Sequence, residues 1–322
     1  MQLVNKNSPA PAVIKAALAA LILSLTVLSA PLFAQKAIDQ LTEAAGNVEI
    51  PYALPPANAT MDRVAPGLNV YFISVGQGDS EYIELPNGQN VLIDGGPLST
   101  SDSGLAKFLA QKNVKEINNV VLTHPHADHL NGLKYVFTNI KVDNFYDTLM
   151  DNSGSSADEA LRSQAQASGA NTIHPAPGDS LSWGSGVNAK VLSSCPEAEA
   201  SGDGSAINNC SIVIKLAYQN SSILFMGDAQ SEVEATILQN YASDLASDVL
   251  KVGHHGSKYS STDAFINAVH PKRAYIEVGQ NNYGHPAPST LNRLTAIGAK
   301  VFRTDMDGTQ AVSSNSVERQ QD

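Results

Sequence analysis

From Leu68 onward, apolar residues fall into short runs separated by turn-forming residues. LNVYFISV, EYIEL and NVLID read as three strands, with GQGD and PNGQ as the turns between them. SGLAKFLAQK switches to helical spacing, and NNVVL at 118–122 is a β-branched, buried strand that leads into a helix beginning near Leu130. The second half repeats this grammar without repeating the sequence. Strands are expected at AKVLS, SIVIKLAY, SILFMG, DVLKVG, RAYIEVG and KVFRTD, and helices over Ser156 to Ala167, Gln230 to Tyr241, Ser261 to Val269 and Pro288 to Ile297. Asn220 marks a tight hairpin between two of the strands. Such a pattern predicts an α/β domain (α+β in some schemes) in which two sheets pack face to face and helices cover them.

The amino terminus follows another rule. Lys6 and Lys15 precede the uncharged stretch Ala16 to Ala34, the layout of a secretory leader, with cleavage expected after Ala34. A retained membrane anchor is the alternative, because a spanning helix needs about 20 apolar residues. Either way the rest of the chain is expected outside the cytoplasm, periplasmic or secreted. Residues 35–66, rich in Ala and Pro, read as an extended lead-in, 67–312 as the folded domain and 313–322 as a polar tail.

Composition narrows the class. The 322 residues are 43% hydrophobic and only 16% charged, which suits a globular chain with a sizeable core. The net charge of −11 argues against a sequence-independent nucleic-acid binder, which would be basic. Between Lys251 and Arg303, however, Lys251, Lys258, Lys272, Arg273, Arg293, Lys300 and Arg303 face only Asp263 and Glu277, so either a local positive face or a scattered solvated surface is expected. Cys195 and Cys210 bracket a loop rich in Gly, Ser, Ala and Asn. In an exported chain they are disulfide candidates, worth about 3 kcal/mol for a loop of this size, with two unpaired thiols as the alternative.

The chemistry concentrates in LTHPHADHLNG. His124, His126, Asp128 and His129 put three imidazoles and a carboxylate into six residues, a density of divalent-metal ligands that packing does not explain. They follow a strand and precede a helix, where α/β proteins place their sites. Alternate residues of this loop can serve two ions, His124 and His126 one, Asp128 and His129 the other. Asp228 follows SILFMG, His254 and His255 follow DVLKVG, and His285 follows RAYIEVG, so each emerges where a strand gives way to a loop. Asp228 is placed to bridge two ions and one of the two adjacent histidines to complete the second, although Asp228 alone would suit a helix N-cap. His174 and His270, beside prolines, read as structural.

LTHPHADHLNG, MGDA and GHHGS together resemble the metallo-β-lactamase superfamily, and FISVGQGDSEYIEL, VLIDGG, NNCSIVIKL, LFMGDAQSEVE, DVLKVGHHGSKYSS, VGQNNYGHPAPSTLNRL and VFRTDMDGT are similar to the metallohydrolase domain of ComEC-type competence proteins. The resemblance runs over about residues 68 to 310. It implies an αβ/βα four-layer sandwich with its site at one edge of the two sheets. It also implies one ion on His124, His126 and Asp228, and another on Asp128, His129, Asp228 and one of His254 or His255, with the alignment leaning to His254. Asp79 and Asp94 match acidic positions that would support the site, and His285 and Lys258 would face the substrate. The superfamily's further histidine is missing here, where the chain offers Asn208, Asn209 and Ser211 of NNCS. Zinc and manganese both remain reasonable. No apolar run after Ala34 reaches spanning length, so the channel of full competence proteins is not expected.

The function expected from these residues is metal-dependent hydrolysis of a phosphodiester, in DNA or a nucleotide. Two divalent ions would activate water, while Asp128, His285 and Lys258 serve the chemistry directly. Lys258, Lys272 and Arg273 tilt the reading toward phosphate. The alternatives are another hydrolase of the same fold, such as a β-lactamase or choline-phosphate esterase, and a binding module that has lost catalysis.

Overall fold

In the first half of the chain, β1 (Asn69–Phe72), β2 (Glu81–Glu84) and β3 (Asn90–Ile93) form an antiparallel meander. Then α1 (Gly104–Gln111), β4 (Glu116–Val121), α2 (Ala127–Asn139), β5 (Lys141–Tyr146), α3 (Ala157–Ser168) and β6 (Asn171–Ile173) alternate, adding parallel strands beside β3. The second half runs β7 (Ser180–Leu181), β8 (Val187–Ser193), α4 (Gly204–Asn209), β9 (Val213–Tyr218) and β10 (Ser221–Phe225), again antiparallel. It continues with α5 (Ser231–Tyr241), β11 (Val249–Lys251), α6 (Asp263–Val269), β12 (Arg273–Ile276), α7 (Pro288–Ala296) and β13 (Lys300–Arg303), whose strands are parallel to β10. A single-turn helix, α8 (Thr304–Asp307), precedes β14 (Gln310–Ser313), which returns to pair with β1. This computed structural model describes residues 67–195 and 204–314. The expected leader, the lead-in and the tail beyond residue 314 lie outside the described residues.

Two seven-stranded sheets result, in the orders β14-β1-β2-β3-β4-β5-β6 and β13-β12-β11-β10-β9-β8-β7. One apolar cluster, including Val70, Phe72, Ile93, Trp183, Val191, Ile214 and Phe225, fills the space between them. Phe72 stacks on Tyr275 of the opposite sheet with ring centroids 4.1 Å apart. A second cluster joins the outer face of the first sheet to α1, α2 and α3, and a third joins the second sheet to α5, α6 and α7. Alternating strand positions thus supply an inner and an outer core, and each fully buried aliphatic or Phe side chain stabilises by about 1.5–3 kcal/mol. The layers are those of the expected αβ/βα sandwich.

Every strand expected from the apolar runs is present, and the Gln219-Asn220 turn closes the β9–β10 hairpin. The pattern missed β5, β6, β7, β14, α4 and α8, the last falling where the strand KVFRTD was expected to continue. Three of these strands have two to four residues at sheet ends, where pairing with a neighbour rather than periodicity creates the strand. β14 also takes in Ser313, the first residue assigned to the polar tail.

Two glycines set the closest approach in the first half. A Cβ on Gly132, inside α2, would lie 1.8 Å from the Gly95 carbonyl oxygen. Without side chains the Gly95 amide donates to the His129 carbonyl at 2.7 Å and the Gly132 amide to that of Gly96 at 2.9 Å. A helical glycine costs about 1 kcal/mol relative to alanine. Here it lets α2 press its first turn, with Asp128 and His129, against the loop after β3.

Candidate metal centre

The parallel strands β3, β4, β10, β11 and β12 end at the same edge, and each releases one or more polar residues there. Asp94 follows β3, the 124–129 cluster follows β4, Asp228 follows β10, His254 and His255 follow β11, and His285 lies beyond β12. Asp79 precedes β2, whose start pairs with the end of β3. Residues more than a hundred positions apart meet in this way.

His124, His126 and Asp228 form one group. His124 Nε2 faces His126 Nδ1 at 3.0 Å and the Asp228 carboxylate at 3.7 Å. The Thr123 hydroxyl donates to Asp94 at 2.6 Å, so the His124 Nδ1–H donates to that oxygen at 3.0 Å and Nε2 keeps its lone pair. Burial, then repulsion from His129, holds His124 well below the usual imidazole range.

Asp128, His129 and His255 form the second group. Asp94 accepts from His129 Nδ1 at 2.7 Å, turning Nε2 toward Asp228 at 3.4 Å. His255 Nδ1 donates to the Glu277 carbonyl at 2.9 Å and lies 3.1 Å from Asp79, turning its Nε2 toward Asp128 at 3.2 Å and Asp228 at 3.6 Å. Burial opposes charge on both rings, yet the surrounding carboxylates prevail: His129 sits well above the usual range and His255 is pushed up to about 10. Asp128 is also partly desolvated, but His129 and His255 hold its carboxyl well below the usual range.

The ring that joins this group is His255, not His254, toward which the sequence leaned. Both residues adopt left-handed backbone, φ 49° and 51°, so the chain turns sharply after β11 and the rings diverge. His254 turns to Asn208, 3.5 Å from its Nε2, and to His285, with centroids 5.2 Å apart, while remaining 3.7 Å from Asp228. Asp228 is not an N-cap, since α5 begins at Ser231 behind Gln230. Its amide donates to Ser211 Oγ at 3.0 Å, and its carboxylate lies between the two groups.

Buried polar atoms that make no well-formed hydrogen bond converge on this space: His129 Nε2, His255 Nε2 and Asp228 Oδ1, facing carboxylate or imidazole at 3.2–3.4 Å. Such atoms are costly unless something occupies the space among them. Imidazole nitrogens and carboxylate oxygens, some of them left over once the outer hydrogen bonds are made, are the donor set divalent cations take, so the residues fit the metal the sequence implies.

Sequence reasoning missed the layer behind the second group. Lys251, fully buried at the end of β11, pairs with Asp79 and donates to the Val252 carbonyl at 3.1 Å. Glu81 and Glu277 lie beside them, and burial, then the Asp79 charge, pushes Glu277 up to about 8. A lysine and a glutamate inside the apolar runs DVLKVG and AYIEVG were the available signal. The basic stretch also resolves differently from a positive face at the site. Lys272 and Arg273 stand at the start of β12, the end remote from the metal centre, with Lys300 beside them at the start of β13. Helices α6 and α7 end there, and basic side chains complement the carbonyl ends of helices. Lys272 pairs with Asp248, Arg293 with Asp263 and Arg303 with Asp305, leaving Lys258 as the cation of that stretch that lines the cleft.

The cleft over the centre, about 560 Å³, is walled by Gln77, His126, Asp128, Asn152, Asn208, His254, Ser257, Lys258, Tyr259, Tyr283 and His285 among others. Burial, then His254 and His255, pushes half-buried His285 down to about 4. Cys195 and Cys210 are bridged, and Cys210 directly precedes Ser211. His174 bonds the Asp147 carbonyl and His270 caps α6, both away from the cleft. Among the described residues no helix is long and apolar enough to cross a membrane.

Residues 73–188 match the model of the metallo-β-lactamase superfamily, and the chain belongs to that superfamily, whose members are generally metal-dependent hydrolases. Within it the chain is similar to competence proteins of ComEC type. It is 33% identical over 260 residues to ComE operon protein 3 of Bacillus subtilis (strain 168), covering 74% of this chain and 32% of that protein. It is 28% identical over 243 residues to competence protein ComA of Neisseria gonorrhoeae, covering 72% and 30%. The chain thus spans about a third of the length of these relatives. Among solved structures, CmlA, a diiron β-hydroxylase from Streptomyces venezuelae, shares the fold at 12% identity and a TM-score of 0.51, covering 77% of this chain and 54% of that one.

Proposed function

We propose that the chain is a metal-dependent phosphodiesterase that acts outside the cytoplasm. One cation site would be made by His124 Nε2, His126 Nδ1 and Asp228, the other by Asp128, His129 Nε2, His255 Nε2 and Asp228, for zinc or manganese. Cations so held supply Lewis acidity and lower the pKa of water. Asp94 and Asp79 hold the two Nδ1–H groups, so that each Nε2 would present its lone pair once a cation displaces its proton.

The observation that carries the phosphodiester reading is the set of cleft-lining residues that keep unpartnered polar atoms. Gln77 Nε2, His254 Nδ1 and His285 Nδ1 are buried without a hydrogen-bond partner, in residues that line the cleft together with Lys258. Neutral donors and one ammonium suit the oxygens of a singly charged diester. With burial and the neighbouring His254 and His255 pushing its imidazole down to about 4, His285 would donate a hydrogen bond to the substrate rather than a proton to the leaving oxygen. Relatives named as competence proteins add DNA to the diesters worth testing. The leader-like residues 1–34 support export, which fractionation of cells expressing the full chain checks.

The decisive assay compares bis-p-nitrophenyl phosphate, single-stranded DNA and a chromogenic cephalosporin under added zinc or manganese. Hydrolysis of the two diesters, lost with bound metal in His126→Ala, is expected. Turnover of the cephalosporin alone would overturn the reading in favour of a β-lactamase, and a well-folded protein that takes up no metal would point to a binding module.

A further inference from the structure

Among the described residues the large apolar side chains exposed to solvent include Tyr259, at 58%, and Tyr283, at 76%, and both line the cleft over the metal centre. Much of each ring is open to solvent, yet the backbone that presents it is hydrogen-bonded. The Asn281 side chain donates to the Gly279 and His285 carbonyls at 2.9 Å each and accepts from the Tyr283 and His285 amides at 3.1 Å each, so one residue ties down the loop that carries Tyr283. The Tyr259 carbonyl accepts from Ser231 at 3.0 Å and its amide donates to Ser257 Oγ at 3.3 Å. Lys258 Nζ lies 5.0 Å from the centre of the Tyr259 ring. Exposed aromatic rings held in place beside a reactive centre lose little entropy when a planar group stacks on them.

We propose that Tyr259 and Tyr283 form a rim on which unpaired bases of a single-stranded nucleic acid stack, while Lys258 contacts its phosphate. This deepens the phosphodiesterase reading and rests on it. Duplex DNA hides its base faces and is held mainly through phosphate contacts, whose affinity depends heavily on cationic side chains. In a chain of net charge −11, whose Lys272 and Arg273 lie at the far end of the sheet, the cleft wall offers Lys258. Single strands expose their π-faces, and aromatic stacking with a small cationic contribution is how sequence-tolerant binders hold them. The 560 Å³ cleft also matches a nucleotide-sized group rather than a double helix.

The test uses the metal-loaded protein and three fluorescein-labelled ligands of equal length: oligothymidylate, its duplex with oligoadenylate, and an abasic oligomer that keeps the phosphates and lacks bases. Dissociation constants come from anisotropy and cleavage from gels. Wild type is expected to prefer oligothymidylate over the abasic oligomer by roughly 10- to 100-fold. Y259A/Y283A should erase that preference, raising KM for oligothymidylate far more than it lowers kcat, and Y259F/Y283F should restore it. Equal affinity of wild type for base-bearing and abasic strands, or for duplex and single strand, would overturn the proposal, as would a preference that survives in the alanine variant. Cleavage of the abasic oligomer separates the two claims: if it is cut without any preference for bases, the rim fails and the phosphodiesterase stands; if none of the three is cut, the phosphodiesterase reading fails.

Discussion

The two halves of the metal centre are built differently. The Asp128–His129–His255 half is backed by ionised groups: Asp94 behind His129, and Asp79 with the buried ammonium of Lys251 behind His255. The His124–His126 half is backed by neutral ones, the Thr123 and Ser211 hydroxyls and the Asn208 amide. A carboxylate behind an imidazole raises its basicity and fixes its orientation, whereas a hydroxyl does mainly the second. The first half is therefore expected to be the stronger cation site, and the second, with Asn208 beside it, the weaker one.

Asp228→Ala should erase the comparison altogether, because its carboxylate faces both halves: both metal equivalents and all activity above background are lost, as metal analysis and diester assays would show. His255→Ala should remove one equivalent and cost more than the roughly 100-fold expected of an outer partner, while His254→Ala keeps both metals and costs less than about tenfold. The reverse order would reassign the pair. Lys251→Met leaves buried Asp79 with His255 but without its ammonium partner, an error worth up to about 3–5 kcal/mol of stability. It should also lower metal affinity roughly 10- to 100-fold, on the Asp128 side only. Adding Asp79→Asn is expected to restore the denaturation midpoint but not the affinity.

Proton competition sharpens the same contrast. In the metal-free protein the surrounding carboxylates outweigh burial and hold His129 well above the usual imidazole range and His255 up to about 10, while burial holds His124 and His126 below that range. A cation must displace protons from the first half and none from the second. Chelator competition should show affinity of the Asp128 half rising with pH through the neutral range, with little change at the His124 half. The smallest effect on metal binding is expected from Cys195→Ser/Cys210→Ser. It should remove about 3 kcal/mol of stability and loosen Ser211, weakening metal at the His124 half alone.

Much of this was legible in the sequence, and the reason is local. Strand and helix existence followed apolar periodicity, and the ligand cluster of 124–129 is contiguous, so no fold is needed to see it. Asp228, His254, His255 and His285 were legible because each follows a buried run, and chains that leave parallel strands arrive at one edge. Edge strands such as β6 and β7 were not, since only a neighbour makes them strands.

The sequence by itself determined the layered α/β architecture, the identity of the cluster and the position of each loop that serves it, because these depend on side-chain chemistry and spacing along one strand or turn. Only the tertiary structure decided that His255 and not His254 turns inward, that Lys251 neutralises Asp79, and that Lys272 and Arg273 lie far from the cleft. Those outcomes depend on a left-handed turn after β11, on charges brought together from distant strands, and on which end of a strand faces the site. No window along the chain contains that information.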